Sequence, residues 1–184
     1  MRTEDLNQGQ MKALINACSR LNKMPLEIVS GRAMKLDQID AFAESIAAKG
    51  YKVLMVDYLQ KIINTTRKDR REWVAHCSAA LSLMAQRYKL HVIVAAQLSR
   101  ESEKHDRRPI LSDLKESGDI EQDADMIGLL HRTNEKESPI HEVNFDLAKN
   151  RNGDVDGNIP FVFYKRQSRF EPKSPIAANP TNDT

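Results

Sequence analysis

Two polar side chains in this sequence stand directly behind apolar runs, the place where strand-based sites hold their chemistry. Asp57 follows Val53-Leu54-Met55-Val56, and Gln97 follows His91-Val92-Ile93-Val94-Ala95-Ala96. Unbroken apolar runs rich in β-branched residues read as strands buried on both faces, as in a parallel sheet. A carboxylate at the carboxyl end of such a strand can accept hydrogen bonds from the water shell of a phosphate-bound Mg²⁺, an ion that keeps several of its waters. The competing reading is a buried strand whose first loop residue is Asp, and for Gln97 a polar residue that closes a strand. Ligands of open parallel sheets bind beyond the carboxyl ends of the strands. Asp57 and Gln97 lie at two such ends about one crossover apart, so each supports the functional reading of the other. Further along, Lys149-Asn150-Arg151-Asn152-Gly153 sets two cations on either side of Asn150 where another strand ends. Between these groups, Leu111 to Asp125 carries six acids in fifteen residues and little apolar period. Gly118 within it permits a tight turn, and free backbone N–H groups in such a turn can grip phosphate oxygens.

The elements that must position these residues alternate. Met11, Leu14, Ile15, Cys18 and Leu21 repeat at helical spacing, which predicts an amphipathic helix over about 4–22 closed by Pro25. Leu26 to Val29 reads as a short strand. A helix over about 36–49 presents Leu36, Ile39, Phe42, Ala43 and Ile46 on one face, with Gly50 placed to end it. After the Asp57 strand, a helix over about 69–89 has Trp73, Cys77, Ala80, Leu81, Met84 and Tyr88 as its inner stripe. Helix, strand, helix, strand, helix, strand predicts an α/β fold with a mostly parallel sheet and helices on both faces. The charged stretch from Ser99 to Pro109 reads as a solvated loop. Met126 to Leu130, His141 to Ala148 and Ile159 to Tyr164 read as strands, the last at a sheet edge because of Pro160. From Glu171 onward, Pro, Asn and Thr dominate, and 171–184 reads as a disordered tail.

Bulk properties narrow the classes. The chain has 184 residues, 40% apolar and 29% charged, enough for one domain with a real core. A net charge of +2 demands no polyanionic partner, so any nucleic-acid contact must come from a local arrangement. Cys18 and Cys77 sit among apolar residues and read as buried reduced thiols. No apolar run approaches the ~20 residues of a membrane span, and Met1 to Asp5 is not a signal peptide. A cytoplasmic protein is the expectation. The five histidines show no metal-ligand spacing, and Trp73 reads as core rather than as a base-stacking platform.

Laid out in order, these segments resemble the C-terminal motor domain of DnaB-type replicative DNA helicases, which are RecA-like ring ATPases. The resemblance runs from about Arg2 to Phe170, so residues 1–170 are read as a partial RecA-like motor domain. Asp57-Tyr58-Leu59-Gln60 resembles the family's Mg²⁺-coordinating strand end, and Ala95 to Arg100 its phosphate-sensing motif. Arg108 to Asp125 resembles the family signature, and Lys149 to Gly153 the inter-subunit motif. The resemblance implies ATP and Mg²⁺ as cofactors, with Asp57 holding the metal's water shell and Gln97 sensing the γ-phosphate and relaying its state toward the DNA-facing loop. It implies that Lys115, Glu116 and Gly118 belong to the loop that grips single-stranded DNA, largely through backbone contacts to phosphates. It implies that Lys149 and Arg151 reach the γ-phosphate held by the neighbouring subunit of a homo-hexamer, and that primase or loader proteins are partners. Two departures stand out. Ala96 replaces the usual Ser, and Lys115 replaces the usual Arg, which puts any bidentate contact there in doubt.

A P-loop needs G-x-x-x-x-G-K-[ST]. None of Gly9, Gly31, Gly50, Gly118, Gly128, Gly153 and Gly157 is followed by Lys. In the family that motif lies upstream of the residue matching Arg2, so an N-terminally truncated motor domain is the expectation, by truncation or a split gene. The missing strand is central in a RecA-like sheet, and its absence is expected to leave open edges and a chain that is marginally stable and inactive alone. Two functional readings follow. One is the C-terminal part of an ATP-dependent helicase that unwinds duplex DNA by moving along single strands. The other is a non-catalytic module that joins a helicase ring and regulates it. A recombinase or clock-type relative is the weaker third, against which the Arg108 to Asp125 stretch argues.

Overall fold

Local chemistry fixes where the helices begin. In the computed structural model, which describes residues 7–29, 33–66, 69–99, 107–114, 118–133, 140–155 and 157–173, helix α1 spans Gln8–Leu21. Asn7 Oδ1 accepts the Gln10 N–H and Gln10 Oε1 accepts the Asn7 N–H, both at 2.9 Å, a reciprocal cap. Helix α2 is Leu36–Ala48, followed by Gly50 at φ +89°, a conformation glycine adopts without penalty. Helix α3, Arg70–Tyr88, starts where Asp69 Oδ1 accepts the Glu72 N–H at 2.8 Å. Strand β1 is Val53–Val56 and strand β2 His91–Val94.

The core forms where these elements meet. Ile39, Ala43 and Ile46 of α2 and Trp73, Val74, Cys77, Leu81 and Met84 of α3 are buried with Leu54 of β1. Trp73 is core, as its place on the helical stripe predicts, and its indole N–H donates to Ile62 O at 3.1 Å. That bond satisfies the one polar atom the ring would otherwise bury unpaired. No helix among the described residues is long and apolar enough to cross a membrane.

Several expectations need correction. Cys18 is exposed, as is the whole apolar stripe of α1, while Cys77 is the buried thiol. Leu26 to Val29 is exposed chain and not a strand. The strand before Asp57 is covered on one face only. Met55 lies opposite Ile93 in the β1–β2 ladder, and the two side chains are 71% and 52% exposed. Helices therefore do not cover both faces of this pair among the described residues.

The mostly parallel sheet is also corrected. The only parallel pairing among the described residues is β1 with β2, running from Val53↔His91 to Val56↔Val94, together with an isolated bridge between Lys35 and Ile63. The other sheet is antiparallel in the order β3-β4-β5-β6, with β3 Met126–Arg132, β4 Ile140–Asn150, β5 Asn158–Tyr164 and β6 Arg169–Pro172. The connections explain the difference. A whole helix, α3, separates β1 from β2 and carries the chain back for a parallel partner, whereas short links join β3 to β6 and turn each strand against the last. Pro160 lies within this sheet and not on an edge strand, since β5 pairs with both β4 and β6. Its carbonyl accepts the Lys173 N–H at 2.9 Å. Glu171 and Pro172 belong to β6, so the expected tail loses its first residues, and 174–184 lie outside the described residues.

Gly128 of β3 illustrates how tightly the antiparallel sheet packs. A Cβ there would run into the Phe145 ring. Gly128→Ala should therefore destabilise the fold by about 1–3 kcal/mol through overpacking, read as a lower urea midpoint at constant slope. Phe145→Leu in the same chain should return part of that loss, as coupled neighbours do. A Gly128→Ala midpoint indistinguishable from the parent would show that the ring has another resting place.

Candidate functional site

The parallel pair delivers Asp57 and Gln97 to one end of the sheet. The Ala95 N–H donates to Val56 O at 3.0 Å, and the Leu59 N–H donates to Ala95 O at 2.9 Å, so both chains leave the ladder side by side. A 3-10 turn over Leu59–Lys61, anchored by buried Leu59, then brings Gln60 back across the gap. Gln60 Oε1 accepts the Gln97 N–H at 3.1 Å. Asp57 and Gln97 are both exposed, and among the described residues neither side chain has a polar partner. The peptide between Asp57 and Tyr58 is cis. Gln60 Nε2 is buried and has no acceptor among the described residues. An exposed carboxylate can accept from the water shell of a nucleotide's metal, and an exposed amide such as that of Gln97 can donate to a phosphate oxygen. The remaining phosphate contacts of a P-loop have no counterpart in the sequence.

Lys149 and Arg151 gather at a different place. Helix α4, Gly118–Asp123, ends with carbonyls that no further turn can satisfy. Lys149 Nζ donates to Glu121 O and, at 2.7 Å, to Ala124 O. Arg151 Nη2 donates to Gln122 O at 3.1 Å, its Nη1 pairs with Asp125 Oδ1 at 2.6 Å, and its N–H donates to Asp125 O at 2.8 Å. Two cations at a helix C-terminus complement both the orphan carbonyls and the dipole. The β3–β4 ladder positions them, with Lys149 opposite Ile127.

Lys115 and Glu116 lie outside the described residues. Gly118 does not make the tight turn expected of it. It opens α4 with no positive φ, and a Cβ there would meet nothing among the described residues. A 3-10 turn, Leu111–Asp113, precedes it in the chain, and Asp113 of that turn forms a bidentate ion pair with Arg107. Reading the sequence missed this pair, because Arg107 sits in a mixed charge run that gives no sign of which acid it meets. It missed Gln60 too, although Asp-x-x-Gln is the spacing that a single 3-10 turn folds back. Outside the site, His141 is buried on β4 against Phe163, and burial, reinforced by Lys165 and Arg132, pushes its pKa below the ordinary histidine value.

Known proteins resemble this chain over most of its length. The family described as DnaB-like helicase C terminal domain matches residues 1–172. The replicative DNA helicase DnaB of Leifsonia xyli subsp. xyli is 39% identical over 182 residues, covering 96% of this chain and 40% of that protein. The replicative DNA helicase DnaB of Mycoplasma genitalium is 36% identical over 170 residues, covering 85% of this chain and 36% of that protein. A solved structure of a DnaB-like replicative helicase and its interactions with primase superposes with a TM-score of 0.79 at 30% identity, covering 92% of this chain and 42% of the other. The chain thus spans about two fifths of the length of these three relatives.

Proposed function

This chain belongs to the family of DnaB-like helicase C-terminal domains, and on that premise we propose that it is the C-terminal part of an ATP-dependent replicative DNA helicase. The observation that carries the reading is the meeting of Asp57 and Gln97 at the carboxyl end of the β1–β2 pair, with Gln97 held by Gln60. Asp57 holds the water shell of a phosphate-bound Mg²⁺, whose charge helps to neutralise the phosphates when ATP is cleaved. Gln97 reads the state of the γ-phosphate, and Lys115, Glu116 and Gly118 form the loop that holds single-stranded DNA. The complete protein works as a homo-hexamer in the cytoplasm, where primase or a loader meets it.

Arg151 is the better of the two cations for a neighbour's γ-phosphate. It and Asp125 are 53% and 70% exposed, and such a surface pair costs at most about 1 kcal/mol to open. Lys149 is half-buried and would have to leave two carbonyls, so it contributes mainly by holding α4 in place. The second reading is a module that enters a helicase ring and regulates it. The test is the full-length gene product with ATP, Mg²⁺ and a forked duplex. Unwinding together with ATP hydrolysis stimulated by single-stranded DNA supports the helicase reading. No hydrolysis, combined with inhibition of an intact DnaB ring by substoichiometric chain, replaces it with the regulatory one.

A further inference from the structure

We infer that Arg107 is a positioning residue that ties the Gln97 strand end to the loop proposed to hold DNA, acting through the buried carboxylate of Asp113. The inference rests on the helicase reading, whose family resemblance implies a relay from Gln97 to that loop, and assigns Arg107 and Asp113 the part of holding it in place. Asp113 is 2% exposed, and a carboxylate so buried is stable only when its oxygens are paired. Arg107 Nη1 donates to Asp113 Oδ2 at 2.6 Å and Nη2 to Oδ1 at 2.8 Å, while the Ile110 N–H donates to Oδ2 at 2.8 Å. This is the planar fork-to-fork geometry that only a guanidinium supplies.

Asp113 also carries the link in its backbone. The Ser99 N–H donates to Asp113 O at 2.6 Å, and Leu98 forms an antiparallel bridge with buried Leu114. Ser99 follows Gln97 by two positions, and Lys115 follows Asp113 by two. The route from the phosphate-facing glutamine to the DNA loop is therefore Gln97, Leu98 and Ser99 laid against Asp113 and Leu114. Arg107 locks the orientation of Asp113, so a displacement at Gln97 moves residue 114 instead of being absorbed by a turning side chain. Loss of a residue that merely held the fold would lower resting and DNA-stimulated turnover by one factor.

The experiment compares ATP hydrolysis without and with oligothymidylate in the full-length gene product and in two variants. Arg107→Lys keeps the charge and loses the fork. Arg107→Gln combined with Asp113→Asn removes both charges and leaves none buried alone. Each should assemble and keep its unstimulated rate, while stimulation by DNA falls about tenfold, inside the range that coupled sites show. Equal stimulation of Arg107→Lys and the parent overturns the link, as does a fall of both rates by one factor. If Arg107→Lys fails to fold, the double variant decides, and failure of both assigns the pair to the fold alone and overturns the link. A parent that hydrolyses ATP without any response to DNA overturns instead the helicase reading beneath it.

Discussion

Arg151→Ala should lower ATP turnover of the full-length protein by roughly 10³-fold or more, the effect of losing a cation supplied in trans to a transferring phosphoryl group. The same change should barely touch stability. Arg151 contributes one bond to a helix-terminal carbonyl and one surface ion pair, with both partners more than half exposed. Pairs of that kind are worth between nothing and about 1 kcal/mol. Lys149→Ala should divide its effects the other way. Its ammonium satisfies the carbonyls of Glu121 and Ala124 from a half-buried position, so its removal costs about 1–3 kcal/mol of stability. Thermal melting and kcat measured on both variants separate the roles. Mixing Arg151→Ala subunits with Asp57→Asn subunits tests the geometry directly. A trans cation restores part of the turnover in mixed rings, because some interfaces then pair an intact Asp57 with an intact Arg151. A cation acting within its own subunit restores nothing. An Arg151→Ala rate within tenfold of the parent would exclude a direct role at the phosphate.

What the sequence made legible follows from which signals are local. Helical spacing placed α2 and α3 and their buried faces, since Ile39, Ala43, Ile46, Trp73, Cys77, Leu81 and Met84 recur at the period of the helix itself. Asp57 and Gln97 were legible as neighbours because a parallel crossover returns the chain to the same edge. The antiparallel sheet was half-visible. The alternation at Val143, Phe145 and Leu147 is the period-two pattern of a half-covered antiparallel strand, yet it was absorbed into an expected parallel fold. β6 escaped notice because Arg169-Phe170-Glu171-Pro172 owes its extended form to pairing with Phe161–Tyr164 rather than to its own composition. Burial misled at Cys18, Met55 and Ile93. Apolar spacing says that a face can be covered, and only the rest of the protein decides whether something covers it.

That uncovered face leads to the second large effect. The isolated 184-residue chain should hydrolyse no ATP, and its affinity for Mg·ATP should be weaker than about 1 mM, which corresponds to roughly 4 kcal/mol of binding free energy. On the proposed reading Asp57 offers one exposed carboxylate to the metal's water shell, and the sequence has neither the lysine nor the glycine-rich backbone that would hold the phosphates. Met55 and Ile93 should meanwhile behave as solvent-exposed groups, and amides of β2 should exchange quickly, because among the described residues β2 pairs with β1 alone. Supplying the P-loop-bearing portion that precedes this region in the family, from the Mycoplasma genitalium helicase for instance, should change all three at once. Titration calorimetry would register nucleotide binding, hydrogen exchange would slow in β1 and β2, and turnover would rise from zero. These gains share a single cause, the strand and helix that complete the sheet also carrying the phosphate cradle. Protection of β1 and β2 without nucleotide binding would mean that the face docks a structural partner, and the regulatory module would become the better account. Turnover by the isolated chain would be more radical, since it would require a phosphate site built without a P-loop.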